Sequence, residues 1–245
     1  MIADAFKAAD AFAREFSGTG MRPHEAFRHL IEVLFCVTAA TVDEYCTEEL
    51  SKELEEALSR FERCGVGREQ TLGLVQDFIE ALAADGGDRL GDMAARLNVL
   101  HEGMGQFFTP SCVAGLLSRI CLPDADTIRT HIARHGYISS MDPAAGSGGL
   151  LIALAKRVRD TGFDPKFNLF VEATEKDALA WRMCYVQLSS YDIPARVILG
   201  DSLTLEHSRV LYTPAYHQFF KPRRALDALI GGQEPPGAIH LMAAE

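Results

Sequence analysis

The stretch Ile138-Ser139-Ser140-Met141-Asp142-Pro143-Ala144-Ala145-Gly146-Ser147-Gly148-Gly149-Leu150 decides how this chain is read. It has the form of a short strand, a sharp glycine-rich turn and the start of a helix. The helix continues through Leu151, Ile152, Leu154, Ala155 and Val158, with Lys156, Arg157 and Arg159 on the solvent side. Glycines let the backbone come close to a ligand. The helix start offers N–H groups and the positive end of a dipole. A glycine turn alone is equally a tight strand-to-helix connection, so its neighbours must decide.

Downstream, Thr161-Gly162 precedes a strand expected over Phe167–Ala173, with Glu175 just past its end. A helix follows through Ala178, Trp181, Cys184, Tyr185 and Leu188. Ala195–Leu199 is a third strand, ending at Gly200-Asp201. Strands alternating with helices predict a parallel sheet with right-handed crossovers. Ligands of such sheets bind outside the carboxyl ends of the strands, where Asp142, Glu175 and Asp201 all fall. Each of these alone could cap a helix; together they predict a cofactor site. A carboxylate at Glu175 can accept from ribose hydroxyls and one at Asp201 from an exocyclic amine. Asp142 to Glu175 exceeds the roughly 20 residues of a dinucleotide fold. An acid just ahead of the turn suits a cationic ligand better than a pyrophosphate. S-adenosylmethionine supplies an ammonium, a carboxylate, a sulfonium, a ribose and an adenine.

The chain has 245 residues, 48% of them hydrophobic, and a formal net charge of −10. Residues 1–100 hold 10 Lys+Arg against 19 Asp+Glu, and residues 101–245 hold 14 against 15. This distribution counts against tight, autonomous DNA binding. No apolar run approaches a membrane span, and no basic-then-apolar leader pattern is seen, so a soluble, cytoplasmic protein is expected. The six cysteines form no Cys-x-x-Cys pair, which suits free thiols; no metal site is expected.

Residues 1–100 read as helical. Ala26, Leu30, Val33, Leu34 and Val37 form one stripe; Leu50, Leu54, Leu58 and Phe61 form another after the cap Thr47. Leu72, Val75, Phe78, Ile79 and Leu82 make a third, and Leu90, Met93, Leu97 and Leu100 a fourth. The Glu-rich run from Glu44 to Glu62 reads as a solvated helix face. Thr109-Pro110 is expected to open a helix carrying Val113, Leu116, Leu117 and Ile120.

These residues resemble the adenine-N6 DNA methyltransferases of the modification-subunit type found in type I restriction systems. Gly105-Gln106-Phe107-Phe108-Thr109-Pro110 is similar to the family's motif before the sheet. Asp142-Pro143-Ala144-Ala145-Gly146-Ser147-Gly148-Gly149 matches its cofactor turn, and Glu175-Lys176-Asp177-Ala178 its ribose-binding strand end. Gly200-Asp201-Ser202-Leu203 is similar to the segment that meets the cofactor adenine, and Asp88-Arg89-Leu90-Gly91 to the helix before the first motif. The resemblance covers roughly residues 85–215, with the helical front end a looser match; together with the residue patterns it predicts a helical domain over 1–100, a shortened Rossmann-like class I methyltransferase core over 101–230 and a loose tail over 231–245. It implies an S-adenosylmethionine site made by Gln106, Phe107, Phe108, Thr109, Asp142, Ala144, Gly146, Ser147, Gly148, Glu175, Asp201 and Ser202.

The family's catalytic Asn/Asp-Pro-Pro-Tyr/Phe should follow the fourth strand, where it holds the flipped adenine and its amine. At the matching place this chain has Tyr212-Thr213-Pro214-Ala215-Tyr216. Thr213, Pro214 and Tyr216 are therefore expected as a modified catalytic loop, with Thr213 the departure. Glu234-Pro235-Pro236-Gly237 lacks the aromatic and reads as a loop. Two functions follow: methyl transfer from S-adenosylmethionine to adenine in DNA, or a catalytically degraded homologue that binds cofactor and serves a regulatory or interaction role. A sheet this short is expected to leave an open edge and face, covered by a second copy or another protein.

Overall fold

The computed structural model describes Phe12, Arg14, Phe16 and residues 20–83, 87–99, 109–222 and 239–240. The chain divides into two compact units, Met1–Phe108 and Thr109–Glu245. Among the described residues no helix is long and apolar enough to cross a membrane.

The first unit is helical: α1 (Pro23–Ala39), a 3-10 turn (Asp43–Tyr45), α2 (Glu48–Arg63), α3 (Arg68–Ala83) and α4 (Arg89–Arg96). Thr47 caps α2 by accepting from the Leu50 amide at 3.2 Å, and Asp88 caps α4 through the Gly91 amide at 2.9 Å. Leu30 and Leu34 of α1 and Leu58 and Phe61 of α2 are buried, as their spacing predicts. On α3 Val75 and Leu82 are buried and Phe78 and Ile79 half-buried, as expected, whereas Leu72 is exposed and Thr71 is inside. Thr71 tolerates burial because its hydroxyl donates to the Gly67 carbonyl at 3.2 Å.

The second unit is an α/β layer: α5 (Ser111–Cys121), α6 (Ala125–His135), β1 (Ile138–Asp142), α7 (Gly149–Asp160), α8 (Pro165–Asn168), β2 (Leu169–Glu175), α9 (Ala178–Ser190), β3 (Ala195–Asp201), β4 (Glu206–Tyr212), a π-helical turn (Tyr216–Phe220) and β5 (Ile239–His240). The sheet order is β4-β3-β2-β1-β5. β1, β2 and β3 are parallel, with Ile138 opposite Leu169 and Val171 opposite Ala195. α7 buries Leu151, Ile152, Leu154, Ala155 and Val158. α9 buries nearly all its length, including the single tryptophan, Trp181, over whose ring the Arg209 guanidinium lies at 5.7 Å.

Four features depart from the sequence reading. β4 runs antiparallel to β3, with Asp201 opposite Glu206 and Arg196 opposite Tyr212. Only Ser202–Leu205 joins them, and a parallel return needs a dozen residues or more. α5 leaves Val113, Leu116 and Ile120 exposed and buries Ala114 and Ser118 instead. α6, capped by Asp124 and ended by left-handed Gly136, has no counterpart in the sequence reading. Within the expected loose tail, Ile239 and His240 pair in parallel with Ser140 and Met141, adding a short edge strand. Glu234-Pro235-Pro236-Gly237 lies outside the described residues.

Candidate cofactor site

β1 ends in Asp142, whose side chain is buried and accepts from the Ala144 amide at 3.1 Å. This bond closes the first step of the turn. Burial, and then the nearby Glu175 charge, push the Asp142 carboxyl above its usual range. No cationic side chain among the described residues neutralises it. Gly146 (φ 54°) and Gly148 (φ 93°) take left-handed conformations that side-chain-bearing residues adopt at a cost. A Cβ on Gly148 would also stand 3.1 Å from Cys184 Sγ.

The turn is tied down from three directions. The Ala145 amide donates to the Thr174 carbonyl at 2.9 Å. The Gly146 amide donates to Glu175 Oε2 at 2.8 Å. Gln187 Nε2, buried on α9, donates to the Ser147 carbonyl at 2.8 Å. Behind the turn, Gly148 caps α7, and the first intrahelical bond is Ile152 N–H to the Gly148 carbonyl. The amides of Gly149, Leu150 and Leu151 thus stand ahead of the helical ladder.

Glu175 joins two elements. Its Oε2 holds Gly146, and its Oε1 accepts from the Asp177 amide at 2.8 Å. Asp177 then caps α9 through the Leu179 and Ala180 amides. At the end of β3, Asp201 Oδ2 pairs with Lys176 Nζ at 2.7 Å, and its Oδ1 accepts from the Leu203 amide at 2.9 Å. The Lys176 contact first, then the Leu203 amide, hold the Asp201 carboxyl below its usual range. A carboxylate still has lone pairs left for hydroxyl or amine donors after such bonds.

The structure therefore gathers Asp142, Ala144, Gly146, Ser147, Gly148, Glu175, Asp201 and Ser202 at one edge of the sheet. Thr109 stands half-buried just ahead of α5, whose N-cap is Pro110. Gln106, Phe107 and Phe108 lie outside the described residues. Gln187, bonded to the Ser147 carbonyl, and Lys176, paired with Asp201, are supports outside the expected site residues. Gln187 carried a faint signal, as an amide inside an otherwise apolar helix.

The expected catalytic loop is not brought to this edge. Because β4 is antiparallel, Thr213, Pro214 and Tyr216 emerge at the amino end of the parallel strands. Seven residues of β4 at ~3.3 Å each put about 20 Å between the two ends. Thr213 is fully buried; its hydroxyl donates to the Ile193 carbonyl at 2.7 Å and accepts from the Ala195 amide at 2.9 Å. Tyr216 stacks on Tyr212 with centroids 4.3 Å apart and meets Phe170 at 5.9 Å. Phe220 stacks on Phe170 at 5.0 Å. These groups close the base of the sheet.

A parallel sheet with a glycine turn at the first strand end and acids at the next two has its candidate site outside the carboxyl ends of its strands. The profile of the N-6 DNA Methylase family matches residues 93–220. The match covers more than half of the chain, and the chain belongs to that family. The fold is similar to a Listeria monocytogenes protein assigned to the class I S-adenosylmethionine-dependent methyltransferases, with 16% identity and a TM-score of 0.42, over 82% of this chain and 54% of that one. It is also similar to a type I restriction-modification system methyltransferase subunit from Streptococcus thermophilus, with 14% identity and a TM-score of 0.35, over 79% of this chain and 56% of that one. The chain thus spans a little over half the length of these two structures. No curated protein matches it in sequence.

Proposed function

We propose that the chain binds S-adenosylmethionine at the carboxyl edge of its sheet, and that it serves adenine-N6 methylation of DNA as a cofactor-holding component. The observation that carries this reading is the Glu175 carboxylate, which fixes the glycine turn and the start of α9 at once. The residues fit the cofactor. Asp142 is a buried acid with no cationic partner among the described residues, suited to the ammonium or sulfonium side. The turn amides and the α7 N-terminus suit its carboxylate. Glu175 suits the ribose and Asp201 the adenine amine. When bound, the cofactor supplies an electrophilic methyl group; this chain's residues orient it and exclude water from one side.

The buried position of Thr213 favours an acceptor-base pocket built by groups other than Thr213, Pro214 and Tyr216. The net charge of −10 favours DNA contacts supplied by another polypeptide. Two measurements test the reading: calorimetry with S-adenosylmethionine, and transfer of labelled methyl to DNA adenine. Binding without transfer by the chain alone is expected. No binding by folded chain would overturn the cofactor assignment. Transfer that disappears in Tyr216→Ala, with cofactor binding kept, would restore the loop as catalytic.

A further inference from the structure

α6 ends in His131-Ile132-Ala133-Arg134-His135, two imidazoles one helical turn apart. Residues at this spacing share a face. The two rings lie with centroids 4.6 Å apart and planes inclined by 45°. Both side chains are half-buried, so they are partly ordered yet reachable. The pair also stands in the last turn of an 11-residue helix, where the dipole favours positive charge.

We propose that His131 and His135 form a two-imidazole site for a borderline divalent ion of the Ni²⁺, Cu²⁺ or Zn²⁺ class, with water completing its coordination. Two histidines at this helical spacing can bind one ion, and imidazole nitrogen is a ligand common to all three metals. No cluster of three or more His, Cys, Asp or Glu side chains able to hold a metal occurs among the described residues. The site is therefore open and exchangeable rather than a structural cage. Both ligands come from one helix, so a bound ion staples the last turn of α6, immediately before β1 in the chain. The cofactor edge is not part of it.

The test is calorimetric titration of the full chain with NiCl₂. One Ni²⁺ per chain is expected, and His131→Gln and His135→Gln should each weaken binding by about tenfold or more. His24→Gln, on α1, should leave it unchanged. Ni²⁺ should raise the thermal midpoint of the wild-type chain, and not that of the double variant. All histidine variants should keep wild-type affinity for S-adenosylmethionine. Absence of binding to folded chain overturns the proposal. So does Ni²⁺ affinity undiminished in both single variants, which would assign the ion to thiols or other histidines.

Discussion

The two ends of the sheet in the second unit are built in opposite ways. The carboxyl end gathers three carboxylates, two left-handed glycines and the first amides of α7. One of those acids is held above its usual range and another below it. At the amino end, one threonine hydroxyl satisfies two backbone groups and aromatic rings stack beneath the strands. The difference shows that strand direction, more than motif order, decides which loops can share a site. A four-residue connection after Asp201 reverses the chain and carries the next loop about 20 Å away.

The largest test of this contrast is Glu175→Ala. It strips the partner from two backbone amides and removes the expected ribose contact. Affinity for S-adenosylmethionine should fall by about a hundredfold or more in calorimetry, roughly the cost of unmaking two charged hydrogen bonds. At the other end, Thr213→Val leaves the buried Ala195 amide unpaired. It should cost about 2 kcal/mol in denaturant unfolding while changing cofactor affinity by no more than about twofold. Thr213→Asn should create no methyl transfer, since the larger amide must enter a closed interior. A tenfold loss of cofactor affinity in a folded Thr213 variant would show that the two ends are coupled.

Much of the geometry at the carboxyl edge was legible because local chemistry writes it. The acid before the turn, the glycines and the strand-end acids appear in sequence order, and each forms its bonds within a few residues or one crossover. The polarity of β4 was not legible, because it follows from the four-residue connection Ser202–Leu205, whose end is set by where β4 begins in the structure. Motif order alone places Thr213-Pro214-Ala215-Tyr216 after a strand without fixing that strand's direction. α6 carried the ordinary marks of a helix, Asp124 ahead and Gly136 behind. The exposed stripe on α5 was not legible. Helical spacing reveals that Val113, Leu116 and Ile120 share a face, but not whether a neighbour covers it. On α3, Thr71 is accepted inside because its hydroxyl bonds the Gly67 carbonyl just ahead of the helix.

An intermediate effect should separate the ends by pH. A cationic ligand needs Asp142 ionised, and its folded pKa is raised, so affinity should fall as pH is lowered into a range above that of an ordinary carboxylate. Asp142→Asn should weaken binding by about tenfold at neutral pH, the worth of a single charged hydrogen bond, and flatten the profile. Linkage runs the other way for the ligand-free chain. A carboxyl with a raised folded pKa binds more protons when folded, so its contribution to stability is lost as pH rises from the unfolded pKa through the folded one. Tyr216→Leu, at the amino end, should leave the binding profile unchanged.

The smallest effect is expected at Lys176, an exposed residue paired with Asp201. Lys176→Ala should tighten cofactor binding by only about twofold at low salt, by freeing Asp201 and removing a like charge, and the gain should vanish in 1 M salt. A change above fivefold would mark Lys176 as a direct ligand contact.

The single tryptophan turns this architecture into an instrument. Trp181 is buried on α9, four residues after the Asp177 cap, under the Arg209 guanidinium of β4. The helical unit contains no indole at all. Selective excitation therefore follows melting of the sheet unit alone, while far-ultraviolet dichroism is weighted toward the helices of both units. The order in which the two units unfold can be read from the native chain without attaching any dye.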